Sequence, residues 1–352
     1  MSIKYVKRII FTLTPLKGIY RYKDEFQVYP INISGAPNGE QVKHHPVILE
    51  YHYDELQMAR IKPFDDGPLN EMMSHTLAQT NKLIQITNLL SSITNFRFFY
   101  YRDTEMNWSM PVPDKMTEQE AQAYNNMSSN WSWKIYYYPA YKTDLQINQF
   151  SNPDFKPLLL KEHHQYYWYD PVEGQNKSID LPNTIDQILD KYYELAPSDK
   201  KVIDSAIYQF CNGLDLFNTM KSLSFFSMVS SIETLVNHEY RKEKMEFKCN
   251  TCKSLKASSR TCPECGEPTW GLTAKFREFL FKYVSNVQGA AAIYNKIYSI
   301  RSKIAHTDYL INDEKFMNWD FNDKTEELST KHLEAKQLAR RSLANWLLKK
   351  SS

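Results

Sequence analysis

Two groups of residues in this chain have the types and spacing to do chemistry. The first is four cysteines, Cys249, Cys252, Cys262 and Cys265, arranged as CxxC, nine residues, CxxC. A CxxC places both sulfurs on one ion when the backbone between them turns tightly, and Pro263 and Gly266 in "CPECG" suit such a knuckle. Four thiolates make a closed tetrahedral site, the ligand set of structural Zn2+. A catalytic zinc needs an open position that this set does not leave. The second group is Arg301 and His306 in "IYSIRSKIAHTDYL", residues 297–310. A histidine near its ordinary pKa gives and takes protons at neutral pH. A guanidinium holds a phosphate, or the dianionic transition state of phosphodiester cleavage, with paired donors. One histidine serves the attacking hydroxyl and the leaving oxygen poorly. A two-fold dimer that brings this helix against its twin supplies two of each group.

The element that carries Arg301 and His306 must be a helix. At about 100° per residue, Ile293, Ile297, Ile300 and Ile304 fall on one stripe, which is expected to face the core. Arg301 lies about 70° off the centre of that stripe, and Ser302 and His306 project nearly opposite it. The arc between Arg301 and His306 carries Ala291, Tyr294, Asn295, Tyr298 and Ala305, small and aromatic residues that suit close packing against another chain.

"RSKIAH" matches an R-x4-6-H motif, and "SLSFFSMVSSIETLVNHE" followed much later by "IYNKIYSIRSKIAH" resembles the Apea-like HEPN proteins of bacterial defence. The resemblance covers roughly residues 184–350, interrupted by the cysteine segment. It implies a helical-bundle, metal-independent endoribonuclease acting as a homodimer through the 290–306 helix. Arg301 and His306 of both chains would form one cleft, and attack by the 2′-hydroxyl would leave a 2′,3′-cyclic phosphate and a 5′-hydroxyl. Glu233, in "SSIETL", either orients Arg301 or is an ordinary solvated helix glutamate, and Tyr298 and Ser302 are further supporting residues. Thr307 stands where glycine often follows the histidine in this group, and Ser302 stands where many active members have Asn, Asp or His.

The bulk properties frame these motifs. A chain of 352 residues suggests two domains. With 42% hydrophobic and 24% charged residues it can bury ordinary cores, which argues against large-scale disorder. A net charge of +2 leaves no global basic field, so an RNA partner would meet a local patch. No stretch approaches the ~18 apolar residues of a membrane span. The start, "MSIKYVKRIIFTLTPLKG", lacks a long apolar run before a small-residue cleavage site and reads as a strand. A cytoplasmic protein without a membrane partner is expected, in which CxxC pairs favour metal over disulfides. Cys211, in a helical run, reads as a buried small hydrophobe.

The fold class expected is α+β. Residues 1–182 form a mixed α/β domain with strands at "YVKRIIFTLTP", "HPVILEYHY", 96–102 and 132–141, and a long amphipathic helix over 70–94. Residues 167–183 are rich in turn formers and mark the boundary. Residues 183–352 form an all-α HEPN bundle, with Ser198 as an N-cap, "KSLSFFSMVSSIETLVNHEY" as the central helix, and a zinc ribbon inserted at 247–270. Lysines around the ribbon, Lys242, Lys244, Lys248, Lys253 and Lys256 with Arg260, are offset by Glu243, Glu246, Glu264 and Glu267, which favours a structural role over phosphate binding. The pairs His44–His45 and His163–His164 are expected on opposite sides of strands, unsuited to bidentate ligation.

Two functions from different classes follow. One is an RNase used in phage defence or toxin-like growth arrest, with the N-terminal domain receiving a trigger ligand or protein, a role that rests on family analogy alone. The other is a non-catalytic dimeric adaptor that binds a partner or nucleic acid through the N-terminal domain or the ribbon.

Overall fold

The computed structural model describes residues 3–32, 44–54, 68–100, 117, 119–120, 145, 147–168, 177–241, 246–248, 252, 255–257, 272–307, 309–311, 314 and 323–349. The fold is α+β, and the chain divides into two compact units, Met1–Asp186 and Gln187–Ser352.

The first unit is built on an antiparallel sheet of five strands in the order β2-β3-β4-β1-β5. These are β1 (Ile3–Thr12), β2 (Tyr20–Tyr22), β3 (Phe26–Pro30), β4 (His45–Asp54) and β5 (Phe98–Phe99). β1 and β4 pair along their whole length, from Ile3↔Asp54 to Thr12↔His45. The helix expected over 70–94 is α1 (Pro68–Ile93). It meets one face of the sheet, where the Tyr51 hydroxyl donates to the Gln79 carbonyl at 3.0 Å. Its apolar residues Leu83, Ile86, Leu89 and Leu90 are buried, whereas Leu77 is exposed. The expected strand over 96–102 pairs only at Phe98 and Phe99 among the described residues, and the one over 132–141 lies outside them.

Side chains alternate across a strand, so the opposite face takes the intervening residues. There Glu50 is fully buried. Its carboxylate accepts Gln27 Nε2 at 2.7 Å and the Ser151 backbone N–H at 2.8 Å, together with the hydroxyls of Tyr29 and Ser151. Lys7 Nζ stands 4.0 Å away. A buried carboxylate is tolerated only with such a complete donor set, and this one fastens residue 151 to the sheet. Further along come β6 (Leu160–Lys161), α2 (His163–Trp168) and β7 (Leu181–Pro182). His163 and His164 therefore open a helix and do not sit on a strand. His163 Nδ1 bonds Thr184 Oγ1 at 2.7 Å.

The second unit is helical: α3 (Ile185–Glu194, which begins just before the division), α4 (Pro197–Asp215), α5 (Lys221–Glu239), α6 (Leu272–Tyr283), α7 (Ala290–His306) and α8 (Asp323–Lys349). A short hairpin of β8 (Glu246–Lys248) and β9 (Leu255–Ala257) stands between α5 and α6 in the chain. The expected N-cap Ser198 is corrected. α4 starts one residue earlier, with Pro197 in its first turn and Ala196 as a cap without a side-chain bond. Proline's fixed φ suits a first helical position, and its missing N–H leaves one orphan donor fewer.

α4 and α5 form an antiparallel hairpin held at intervals of two turns. His238 Nε2 meets Asp199 Oδ1 at 2.7 Å, Ser231 donates to the Ala206 carbonyl at 2.7 Å, and Ser224 donates to the Gly213 carbonyl at 2.7 Å. The approach is close enough that a Cβ on Gly213 would lie 2.8 Å from Met228 Cγ. α8 packs on this pair and also caps α6. Arg341, Asn345 and Lys349, one helical turn apart, donate to the carbonyls of Val284, Tyr283 and Lys282 at 3.3, 2.7 and 2.7 Å. They satisfy carbonyls that a helix end leaves orphaned, and two of them are cations at the negative end of the helix dipole.

His332 of α8 is 3% exposed, stacked on Phe217 with ring centroids 4.2 Å apart. The Ser224 proton is committed to Gly213, so His332 Nε2 carries the hydrogen and donates to Ser224 Oγ at 2.8 Å. Burial, then the ammonium groups of Lys336 and Lys221, push the imidazole down to about 4. The unfolded chain therefore takes up this proton first as pH falls. Stability is complete above the ordinary histidine pKa of about 6.5 and is lost by about 3 kcal/mol on descending to the folded value. Urea unfolding of the helical unit between pH 7 and pH 4 is expected to show this loss. His332→Gln, which keeps a donor but cannot titrate, is expected to flatten it, and an unchanged slope would contradict the assignment.

Candidate functional site

α7 begins after Gly289, which caps it at φ 86°. That backbone region is open to glycine without strain, and a Cβ there would meet nothing, so conformation and not space selects the residue. The helix buries Ala290, Tyr294, Ile297, Tyr298 and Ile300. Two expectations are corrected here. Ile293 is 39% exposed and does not belong to the inward stripe, although Ile297 and Ile300 do. Tyr294 and Tyr298 turn into their own unit and do not form an outward face for another chain.

The reason is that both tyrosines find ring partners inside, and Tyr294 an acceptor as well. Tyr294 packs on Phe281 and donates to the Ser285 carbonyl at 2.8 Å. Tyr298 packs on Phe276 of α6 with centroids 5.2 Å apart, and its hydroxyl lies within electrostatic reach of the Glu233 carboxylate. Burial, then the Glu233 carboxylate, push the Tyr298 hydroxyl up to about 12, so it stays protonated and is not a base at neutral pH. The outward side of α7 carries Ala291, Ala292, Lys296, Ser299, Lys303, Ala305 and His306, with Ser302 half-buried.

Arg301 thus sits within the inward arc, in the groove between α7 and α5. Its Nε donates to Glu233 Oε2 at 3.0 Å, and its Nη2 lies 2.8 Å from the same oxygen. The two side chains are 19% and 14% exposed. The guanidinium carbon stands 4.8 Å over the ring of Phe226. The guanidinium is therefore gripped along one edge and floored by an aromatic face, with its Nη1 edge turned from the carboxylate. This arrangement suits recognition of a phosphate oxygen by a charge-assisted fork of donors. The structure brings Glu233, Tyr298 and Arg301 together and leaves His306 apart. His306 is exposed, and five residues along a helix turn it about 140° from Arg301. Phe226 is the member that sequence reasoning missed. Its spacing of seven residues from Glu233 on α5, which puts both on one stripe, was the available signal.

Of the four cysteines, Cys252 lies at an exposed turn, and Cys249, Cys262 and Cys265 lie outside the described residues. β8 and β9 pair from Glu246↔Ala257 to Lys248↔Leu255. The first CxxC lies between these two strands in sequence. Among the described residues no group of three or more histidine, cysteine or acidic side chains could hold a metal. No helix among them is long and apolar enough to cross a membrane. No family model matches the chain, and no curated protein or solved structure matches it.

The cysteine pattern leads to a direct expectation. Protein purified without chelator should carry one zinc per chain by elemental analysis, and Cys252→Ser should lose it. A metal-free wild type with intact folding would contradict the reading.

Proposed function

We propose that the helical unit is a HEPN-type, metal-independent endoribonuclease that works as a homodimer, in phage defence or toxin-like growth arrest. The four cysteines hold a structural Zn2+, and the N-terminal unit receives the trigger.

The observation that carries the reading is the Arg301 cradle. A cation in a half-buried groove, pinned at one edge by Glu233 and backed by Phe226, is oriented before any anion arrives. The divergence of Arg301 and His306 on one helix supports the dimer. A single α7 presents its one imidazole on a different side from its guanidinium, whereas two copies present two imidazoles and two guanidinium groups around one cleft. In the cleavage step one His306 takes the proton from the 2′-hydroxyl as its oxygen attacks phosphorus. Arg301 meets the charge that builds on the phosphoryl oxygens, and the second His306 gives a proton to the departing 5′-oxygen. The products are a 2′,3′-cyclic phosphate and a 5′-hydroxyl, and water is not consumed.

A specific observation favours the second reading, a dimeric adaptor without catalysis. Glu233 already balances the charge of Arg301, so the pair is complete as a structural ion pair. Incubation with a mixed RNA pool in EDTA separates the two. Cleavage by wild type, lost by a factor of about a hundred or more in Arg301→Ala and in His306→Ala, is expected for the enzyme. Equal inactivity of wild type and variants, with the dimer retained, would leave the adaptor.

A further inference from the structure

We infer that Phe226 is a positioning residue for Arg301, fixing the plane in which the guanidinium meets an RNA phosphate. The inference rests on the reading of Arg301 as a phosphate receptor. Phe226 and Glu233 lie two turns apart on one stripe of α5, roughly 10 Å along the axis. Arg301 reaches across from α7 into the gap between them.

Glu233 alone cannot fix the guanidinium. The Nε hydrogen bond at 3.0 Å and the Nη2 ion-pair contact at 2.8 Å both end on the single oxygen Oε2, which leaves the plane able to swing about that oxygen. A bidentate pair on two oxygens would stop this motion, and the geometry here does not provide one. The ring of Phe226, 4.8 Å from the guanidinium carbon, supplies the missing restraint, because a cation over a ring face resists tilting off it. With edge and face both held, the remaining donors keep one direction. Phe226 is itself only half-buried, unlike its neighbour Phe225, which is fully buried in the core.

The test is a double-mutant cycle on binding of a 2′-O-methyl oligoribonucleotide, which cannot be cleaved, followed by fluorescence anisotropy at fixed salt. Phe226→Leu is expected to weaken binding roughly three- to tenfold, the scale of a half-exposed cation–π contact, and Phe226→Trp to restore it. In an Arg301→Gln background Phe226→Leu is expected to add nothing, because its effect passes through the guanidinium. Equal melting temperatures of the leucine and tryptophan variants would exclude a folding loss. Wild-type affinity in Phe226→Leu, or a loss that persists in Arg301→Gln, would overturn the positioning role while leaving the receptor intact. Equal RNA affinity of wild type and Arg301→Gln would overturn the receptor reading and this inference with it.

Discussion

The ion pair between Arg301 and Glu233 is the constraint on which the helical unit's site turns. An arginine side chain four-fifths out of water is tolerated only beside an opposite charge, and removing one partner leaves the other stranded. The pair therefore fixes which side of α7 faces α5. Once Arg301 points into the groove, Tyr298 one turn earlier must point inward as well, and His306 must point out.

The surrounding packing keeps this geometry stiff. α5 is held to α4 by three contacts at two-turn intervals, from Asp199–His238 to Gly213–Ser224, so its outward stripe of Phe226 and Glu233 has little freedom to rotate. α6 backs Tyr298 through Phe276, and α6 is itself anchored by the capping side chains of α8. The proposed receptor is thus built on helices and not on loops, which is what precise placement of a charge requires.

The sequence made part of this legible. The helical periods of α1 and α7 are readable because apolar residues recur at helical spacing, and α5 is readable as a central helix because it is apolar on most sides; of the two readings open for Glu233, the structure holds an ion pair with Arg301 and not a solvated glutamate. The orientation of α7 was not readable. On a helical wheel four isoleucines outweigh two tyrosines. The deciding factor is whether the tyrosines find partners inside, and the rings of Phe281 and Phe276 on a preceding helix, with the Ser285 carbonyl for the Tyr294 hydroxyl, provide them. The same limit hid Phe226, whose partner lies on another helix, and Glu50, whose donors come from positions as far apart as Gln27 and Ser151. The start of α4 was missed for a local reason: a proline preceding a good capping residue can take over the first turn.

The claim that most needs a direct measurement is that two copies of α7 pool their cation and imidazole groups. A crystal structure of the assembled protein with a bound, uncleavable dinucleotide decides it. The account requires the two helices to meet across a two-fold axis, with one phosphate between Arg301 of one protomer and a His306 imidazole of its partner. Helices on opposite sides of the assembly, or a monomer with the phosphate elsewhere and Arg301 engaged only by Glu233, would contradict it.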